Sequence, residues 1–199
     1  MRKPKGEGHV RRAEILTAAE RIFVEHGYEG ATIRKIADEV GLSSTALYMH
    51  FADKAEILHE ICRSAFEALI SAHKSLLIAD APPEVRLRRM MEAYIRFGFE
   101  NPNAYRLTYM TQPVEAREGA ESVAQETGGA LFRSFVEVVN EAVVAGRMRG
   151  DSEVLAQVIW ASGHGLVSII ITKPYFDWAD RNLLIRTQLD ALFGGLLEP

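Results

Sequence analysis

The chain has a single cysteine, Cys62, in 199 residues, so neither an internal disulfide nor a cysteine-rich metal site can form. With Ile61 and Ala65 close by, Cys62 is expected to be a small buried residue rather than a redox switch. Apolar runs are short; the longest, Leu166 to Ile171, falls far below the length needed to span a bilayer. The basic start is not followed by an apolar segment, so no signal peptide is expected and the chain is placed in the cytoplasm. Strand-type alternation is almost absent, as are internal repeats and low-complexity tracts, which leaves an all-α fold. His9, His26, His50, His59, His73 and His164 are spread singly, with no His-x-x-x-His spacing and no pair of Glu-x-x-His segments, so no metal site is expected. A glycine-rich phosphate loop and a nucleophile elbow are missing too. No cofactor is expected, and catalysis is disfavoured.

What is present concentrates between Thr32 and Lys54, in TIRKIADEVGLSSTALYMHFADK. Thr32 can cap a short helix in which Ile33, Ile36, Ala37 and Val40 share one face. Gly41 ends it, since glycine enters the left-handed region without a Cβ penalty. Leu42 is the apolar plug of the turn, and Ser43 or Ser44 caps a second short helix. That helix carries Ala46 and Leu47 among Ser44, Thr45, Tyr48, Met49 and His50, so its outer face offers hydroxyls, an aromatic ring and an imidazole. These groups suit phosphates and base edges. A third helix starts near Asp53, where Asp53 and Glu56 have capping-box spacing. Lys54 in its first turn opposes the helix dipole, and a bound phosphate is one reason for it to be there. Two short helices, a tight turn and a following helix define a helix-turn-helix, which places its second helix in the DNA major groove.

At these residues the chain resembles the TetR family of bacterial transcription regulators, over roughly Ala13 to Leu58. The resemblance rests on Phe23-Val24-Glu25-His26-Gly27-Tyr28, Ala31-Thr32-Ile33-Arg34-Lys35-Ile36-Ala37, Gly41-Leu42-Ser43, Leu47-Tyr48-Met49-His50-Phe51 and Asp53-Lys54. It implies that Thr32, Tyr48, His50 and Lys54 contact DNA phosphates and that Arg34, Ser44 and Thr45 face or border the bases. Ser43 and Met49 belong to the same candidate DNA-binding set. Near the end of the chain, Trp160, His164 and Gly165 are similar to the Trp-x-x-x-His-Gly signature of one C-terminal subgroup. The implied function is a repressor that binds a palindromic operator and is released by a small effector. An all-helical enzyme or a metal-responsive sensor is the alternative.

The charge distribution agrees with a DNA-binding N-terminal part. The net charge of −4 divides unevenly, because residues 1–55 hold nine Lys/Arg against eight Asp/Glu, leaving −5 for the remainder. Arg2, Lys3, Lys5, Arg11 and Arg12 form a basic arm suited to a phosphate backbone or a minor groove, or equally a solvated tail. The expected division is residues 1–55 for DNA binding and 56–199 for effector binding and dimerisation.

Helices are expected over 10–26, 53–78, 83–100, to about 110, 115–145 with fraying at Gly128-Gly129, 152–172 and 177–193. The helix over 152–172 is apolar nearly all round, which calls for burial on more than one face. Gly163 and Gly165 within it each cost about 1 kcal/mol relative to alanine, a cost that close approach of another helix would offset. With Gly163, Leu166, Leu183, Leu184 and Thr187, the last two helices form the candidate homodimer interface, two from each chain making a four-helix bundle. An aromatic and methionine-rich set includes Phe66, Met90, Tyr94, Phe97, Tyr105, Tyr109, Phe132, Trp160 and His164. Each member taken singly reads first as packed core, and the set together as the lining of a pocket for a lipophilic or aromatic effector.

Overall fold

The computed structural model describes residues 7–77, 80–110 and 123–198. Arg2, Lys3 and Lys5 of the arm, Gln112-Pro113 and the predicted helix start at Glu115 lie outside these residues, as does the side chain of Phe66. The described chain is helical: α1 Glu7–Gly30, α2 Ile33–Glu39, α3 Ser44–Tyr48, α4 Lys54–Leu77, α5 Pro83–Glu100 and α6 Pro102–Tyr105 come first. A π-helical turn Arg106–Met110 follows, then α7 Val123–Val144, α8 Ser152–Thr172 and α9 Arg181–Leu196. Helix α7 runs unbroken through Gly128 and Gly129, where fraying was expected.

Contacts divide the chain into two compact units, Met1–Ala65 with Asn103–Gln125 and Phe66–Pro102 with Glu126–Pro199. The first unit therefore extends beyond residue 55. The reason is its core: Ile57, Leu58, Ile61 and Cys62 of α4 pack with Ile15, Ala19 and Phe23 of α1, Ile36 and Ala37 of α2, and Leu47, while Leu107 joins from the π-helical turn. Full burial of an Ile or Leu stabilises by roughly 1.5–3 kcal/mol, so this shared core outweighs any tendency of such short helices to fray.

In the second unit α5 packs along α8. A Cβ on Gly163 would lie 2.4 Å from the Met91 methyl and 3.4 Å from Ile95 Cγ1. The missing side chain thus lets α8 approach α5 of the same chain, and Gly163 is buried there rather than offered to a second copy. A Cβ on Gly165 would meet no described atom within 4 Å. Arg86 of α5 is buried and donates through Nη1 to the Leu77 carbonyl at 2.9 Å, capping the last turn of α4, while Nη2 pairs with Glu141 of α7.

Helix α8 is long and apolar enough, by length and composition, to cross a membrane, which its longest apolar run did not suggest. In this fold one side of it, including Leu155, Ile159, Val167 and Ile170, is buried. Val154, Val158 and Ile169 remain exposed, as does Leu183 of α9.

Candidate nucleic-acid interface

The turn between α2 and α3 is built as the residues dictate. Thr32 Oγ1 accepts the Lys35 amide at 3.2 Å, which opens α2. Gly41 has φ +64°, and the amides of Gly41 and Leu42 donate to the Asp38 and Ala37 carbonyls at 3.2 and 2.8 Å. That pair of bonds is a Schellman motif, and it turns the chain sharply into α3. Of the two serines, Ser43 is the cap, its Oγ accepting from the Ala46 amide at 3.1 Å.

Helix α3 is anchored by Leu47, which is fully buried, and Phe51 follows it into the core. Opposite Leu47 the helix is open: Thr45, Tyr48 and Met49 are exposed, Met49 at 83% of its surface, and Ser44 and His50 are half-buried. Thr45 stands three and four positions before Tyr48 and Met49, so these side chains share one face. Arg34 on α2 is 86% exposed and lies 3.8 Å from Asp38. Thr32 and Ser43 are exposed as well. Their cap bonds use oxygen lone pairs and leave each hydroxyl proton available to an external acceptor.

Helix α4 starts with the anticipated capping box in modified form. Asp53 Oδ1 accepts the Glu56 amide at 2.8 Å, and Glu56 returns to the Ala52 amide at 2.6 Å. Lys54 has an internal partner that sequence spacing did not disclose: its Nζ donates to the Tyr28 carbonyl at 2.8 Å and lies 3.4 Å from the Ala31 carbonyl. The ammonium therefore closes the short turn that follows Gly27, whose φ of +69° and ψ of 171° break α1 at that point. Two further basic residues depart from expectation. Arg11 and Arg12 sit on α1 rather than on a free arm; Arg11 bonds Glu14 and the Val40 carbonyl, and Arg12 is held by Glu56, Glu60 and the His50 carbonyl. The Arg12 hydrogen bond draws the Glu60 carboxyl below the usual carboxylate range.

The residues proposed for an effector fall in both units. Tyr105 and Tyr109 belong to the first, with ring centroids 4.9 Å apart. In the second, Met90, Tyr94 and Phe97 are buried on α5. The Tyr94 hydroxyl lies 3.4 Å from His164 Nδ1, His164 lies beside Trp160, and Trp160 stacks at an angle against Phe132 at 5.5 Å. Burial lowers the pKa of His164, favouring the neutral ring. His73, absent from the sequence-derived set, is buried next to the Met90 carbonyl, 3.2 Å from its Nε2. Burial pushes its pKa down to about 4. Only the topology brings it to α5, so no local pattern could have revealed it.

A capped pair of short helices whose second member exposes polar and aromatic side chains, set on a three-helix core, defines a helix-turn-helix DNA-binding unit. Comparison with known proteins agrees. Residues 15–61 match the model of bacterial regulatory proteins of the tetR family, and residues 87–192 match the tetracyclin repressor-like C-terminal domain. The chain belongs to the TetR family of transcription regulators. The C-terminal match is to that model rather than to one named for a Trp-x-x-x-His-Gly signature.

Among its relatives, the HTH-type transcriptional repressor KstR2 of Mycobacterium tuberculosis is 28% identical over 155 residues, covering 77% of each chain. The HTH-type transcriptional activator FasR of Mycolicibacterium smegmatis is 33% identical over 121 residues, 59% of this chain and 54% of that one. Among solved structures, PfmR of Thermus thermophilus, a TetR family regulator, superposes with a TM-score of 0.78 at 26% identity, covering 94% of this chain and 98% of that one. The ketosteroid transcriptional regulator KstR2 of M. tuberculosis superposes with a TM-score of 0.79 at 24% identity, covering 95% and 96%, which shows a shared fold.

Proposed function

We propose that the protein is a cytoplasmic, non-enzymatic repressor that binds a palindromic operator as a homodimer and leaves it when a lipophilic or aromatic effector binds the second unit. The observation that carries the reading is the exposed face of α3. Leu47 fixes the helix to the core while Thr45, Tyr48 and Met49 lie on the exposed side. A tyrosine at the end of this five-residue helix and a methionine at its C-cap, both exposed, suit a groove, Met49 against thymine methyls and Tyr48 against a phosphate. Arg34, Ser44 and Thr45 border the bases in this reading, and Thr32, Ser43, His50 and the remaining N–H of Lys54 meet phosphates. Repression is favoured by the relative KstR2, a repressor that is similar across both parts of the chain.

Dimerisation is supported by the outer faces of α8 and α9. Val154, Val158, Gly165 and Ile169 recur at near-helical spacing on the exposed side of α8, and Leu183 and Thr187 on that of α9, with Leu166 and Leu184 half-buried beside them. A two-fold dimer built there would present two recognition helices to half-sites about one helical turn apart. The effector reading rests on Tyr94, Phe132, Trp160 and His164, an apolar cluster with two polar tips. Helix α4 has residues in both units and is the covalent path by which an effector would favour one of two states.

The test is selection of random duplex DNA on the purified protein, then titration of the enriched duplex at two salt concentrations. An enriched palindrome, weakened by Tyr48→Ala and Thr45→Ala, is the expected result. Enrichment of no sequence by protein stripped of small molecules and refolded would sink the reading.

A further inference from the structure

The start of α1 spends two adjacent guanidinium groups on the two short helices of the helix-turn-helix. Arg11 Nη2 donates to the carbonyl of Val40, the C-cap of α2, at 2.9 Å. Arg12 Nη1 donates to the carbonyl of His50, one residue beyond the C-cap of α3. The rest of the Arg12 fork turns toward α4: Nε meets Glu60 Oε1 at 3.1 Å, and Nη2 meets Glu60 and, at 3.3 Å, Glu56. The guanidinium carbon lies 3.9 Å over the centre of the Phe51 ring. One planar group thus joins α1, the exit of α3 and two successive turns of α4.

Helix α3 needs such a tie. It has five residues, too few to hold an axis by its own hydrogen bonds. Leu47 is its one buried residue, and a single knob in a core fixes depth but not rotation. The Ser43 cap is a bond within the helix and restrains neither. Base-edge hydrogen bonds, by contrast, demand placement to within about 0.5 Å and 10–20°. At the far end the restraints are Phe51, buried just beyond the helix, and Arg12, which holds both the His50 carbonyl and the Phe51 ring. A phosphate role for Arg12 is disfavoured because Nε, Nη1 and Nη2 are all directed at protein acceptors.

We propose that Arg12 is a positioning residue for sequence discrimination: with Glu56, Glu60 and Phe51 it fixes the angle at which α3 presents Thr45, Tyr48 and Met49, and it does not contact DNA. The proposal rests on the reading that the exposed face of α3 meets the bases. A lysine at position 12 keeps the charge and loses the fork, and it cannot stack its face on Phe51.

The experiment measures affinity for a duplex selected by the wild-type protein and for an unrelated random-sequence duplex, each across a salt series. Arg12→Lys is expected to lower the ratio of the two affinities about tenfold, the scale of a misplaced base contact, with the salt slope for the unrelated duplex unchanged. Glu60→Gln is expected to lower the ratio as well, although it makes the head more positive and on charge alone would tighten binding to any DNA. A wild-type ratio in either variant overturns the proposal. So does an Arg12→Gln variant that weakens both duplexes equally and reduces the salt slope by about one, the signature of a lost phosphate contact. If Arg12→Lys does not fold, Glu60→Gln decides alone. If Thr45→Ala and Tyr48→Ala leave the ratio unchanged, the reading of α3 fails and the proposal with it; if they lower it and Glu60→Gln does not, only the proposal fails.

Discussion

The ammonium of Lys54 lies 2.8 Å from the carbonyl oxygen of Tyr28 and 4.1 Å over the centre of the same residue's ring. One residue thus offers both an acceptor and a π face to a single cation. Tyr28 in turn stacks on Phe23, which is in the core, so the lysine is coupled to the packing of α1. Lys54→Met is expected to keep the stem and lose the cation, lowering stability by about 1–3 kcal/mol, the scale of a charge-assisted hydrogen bond. Urea unfolding of the two proteins measures this; an unchanged midpoint would show that the Tyr28 contact contributes nothing, and that any loss of DNA binding comes from a phosphate.

Leu183 is half-exposed on the outer face of α9, where an apolar side chain gains most from burial against a second copy. Leu183→Glu is expected to shift the protein from dimer to monomer in light scattering and to weaken the enriched duplex by a hundredfold or more, roughly the loss of one of two half-site contacts. A dimer of undiminished stability in that variant would move the interface away from α8 and α9.

The two glycines of α8 make opposite predictions. At Gly163 a leucine meets Met91 and Ile95 inside the unit, so Gly163→Leu is expected to destabilise the fold by about 1–3 kcal/mol through overpacking. At Gly165 no described atom lies within reach of a Cβ, so Gly165→Leu is expected to spare the fold and to weaken only self-association. Thermal unfolding and the dimer dissociation constant, measured on both variants, separate the two effects.

His73 gives a pH dependence with a definite sign. Its Nε2 faces a carbonyl, which can only accept, so Nε2 carries the proton; Nδ1 is buried with no hydrogen-bond partner among the described residues, which disfavours a second proton and keeps the folded ring neutral. Burial lowers its pKa to about 4, below the ordinary histidine value. The unfolded chain therefore binds more protons between the two values: the stabilisation is complete above pH ~6.5 and is lost as pH falls toward 4, by up to roughly 3 kcal/mol. His73→Gln is expected to flatten that part of the stability profile. An identical slope for both proteins between pH 6.5 and 4.5 would refute it.

The head was legible because its signals are local. Thr32, Gly41, Ser43 and the Asp53 box act within four residues of themselves, and the stripe Ile15, Ala19, Ile22, Phe23 declares a buried face by spacing alone. Pro83 and Asn101 likewise bracket α5 as punctuation predicts. Charge was less legible. Arg11, Arg12 and Lys54 look alike in sequence to any DNA-facing cation, and their partners at Val40, His50 and Tyr28 lie between 26 and 38 positions away.

The amino-acid sequence by itself determined the helical class, the Thr32 cap, the sharp turn at Gly41 and which side of α3 is apolar, since each depends on backbone freedom or hydrophobic period over a few residues, whereas the choice of Ser43 over Ser44 as the α3 cap came from the structure. Tertiary structure alone decided which cations remain for DNA and which close helix ends, that Gly163 serves α5 rather than a second chain, and that His73 is held neutral against Met90. Those outcomes depend on which distant groups share a small volume, where desolvation and hydrogen-bond geometry fix the role of a side chain that spacing leaves open.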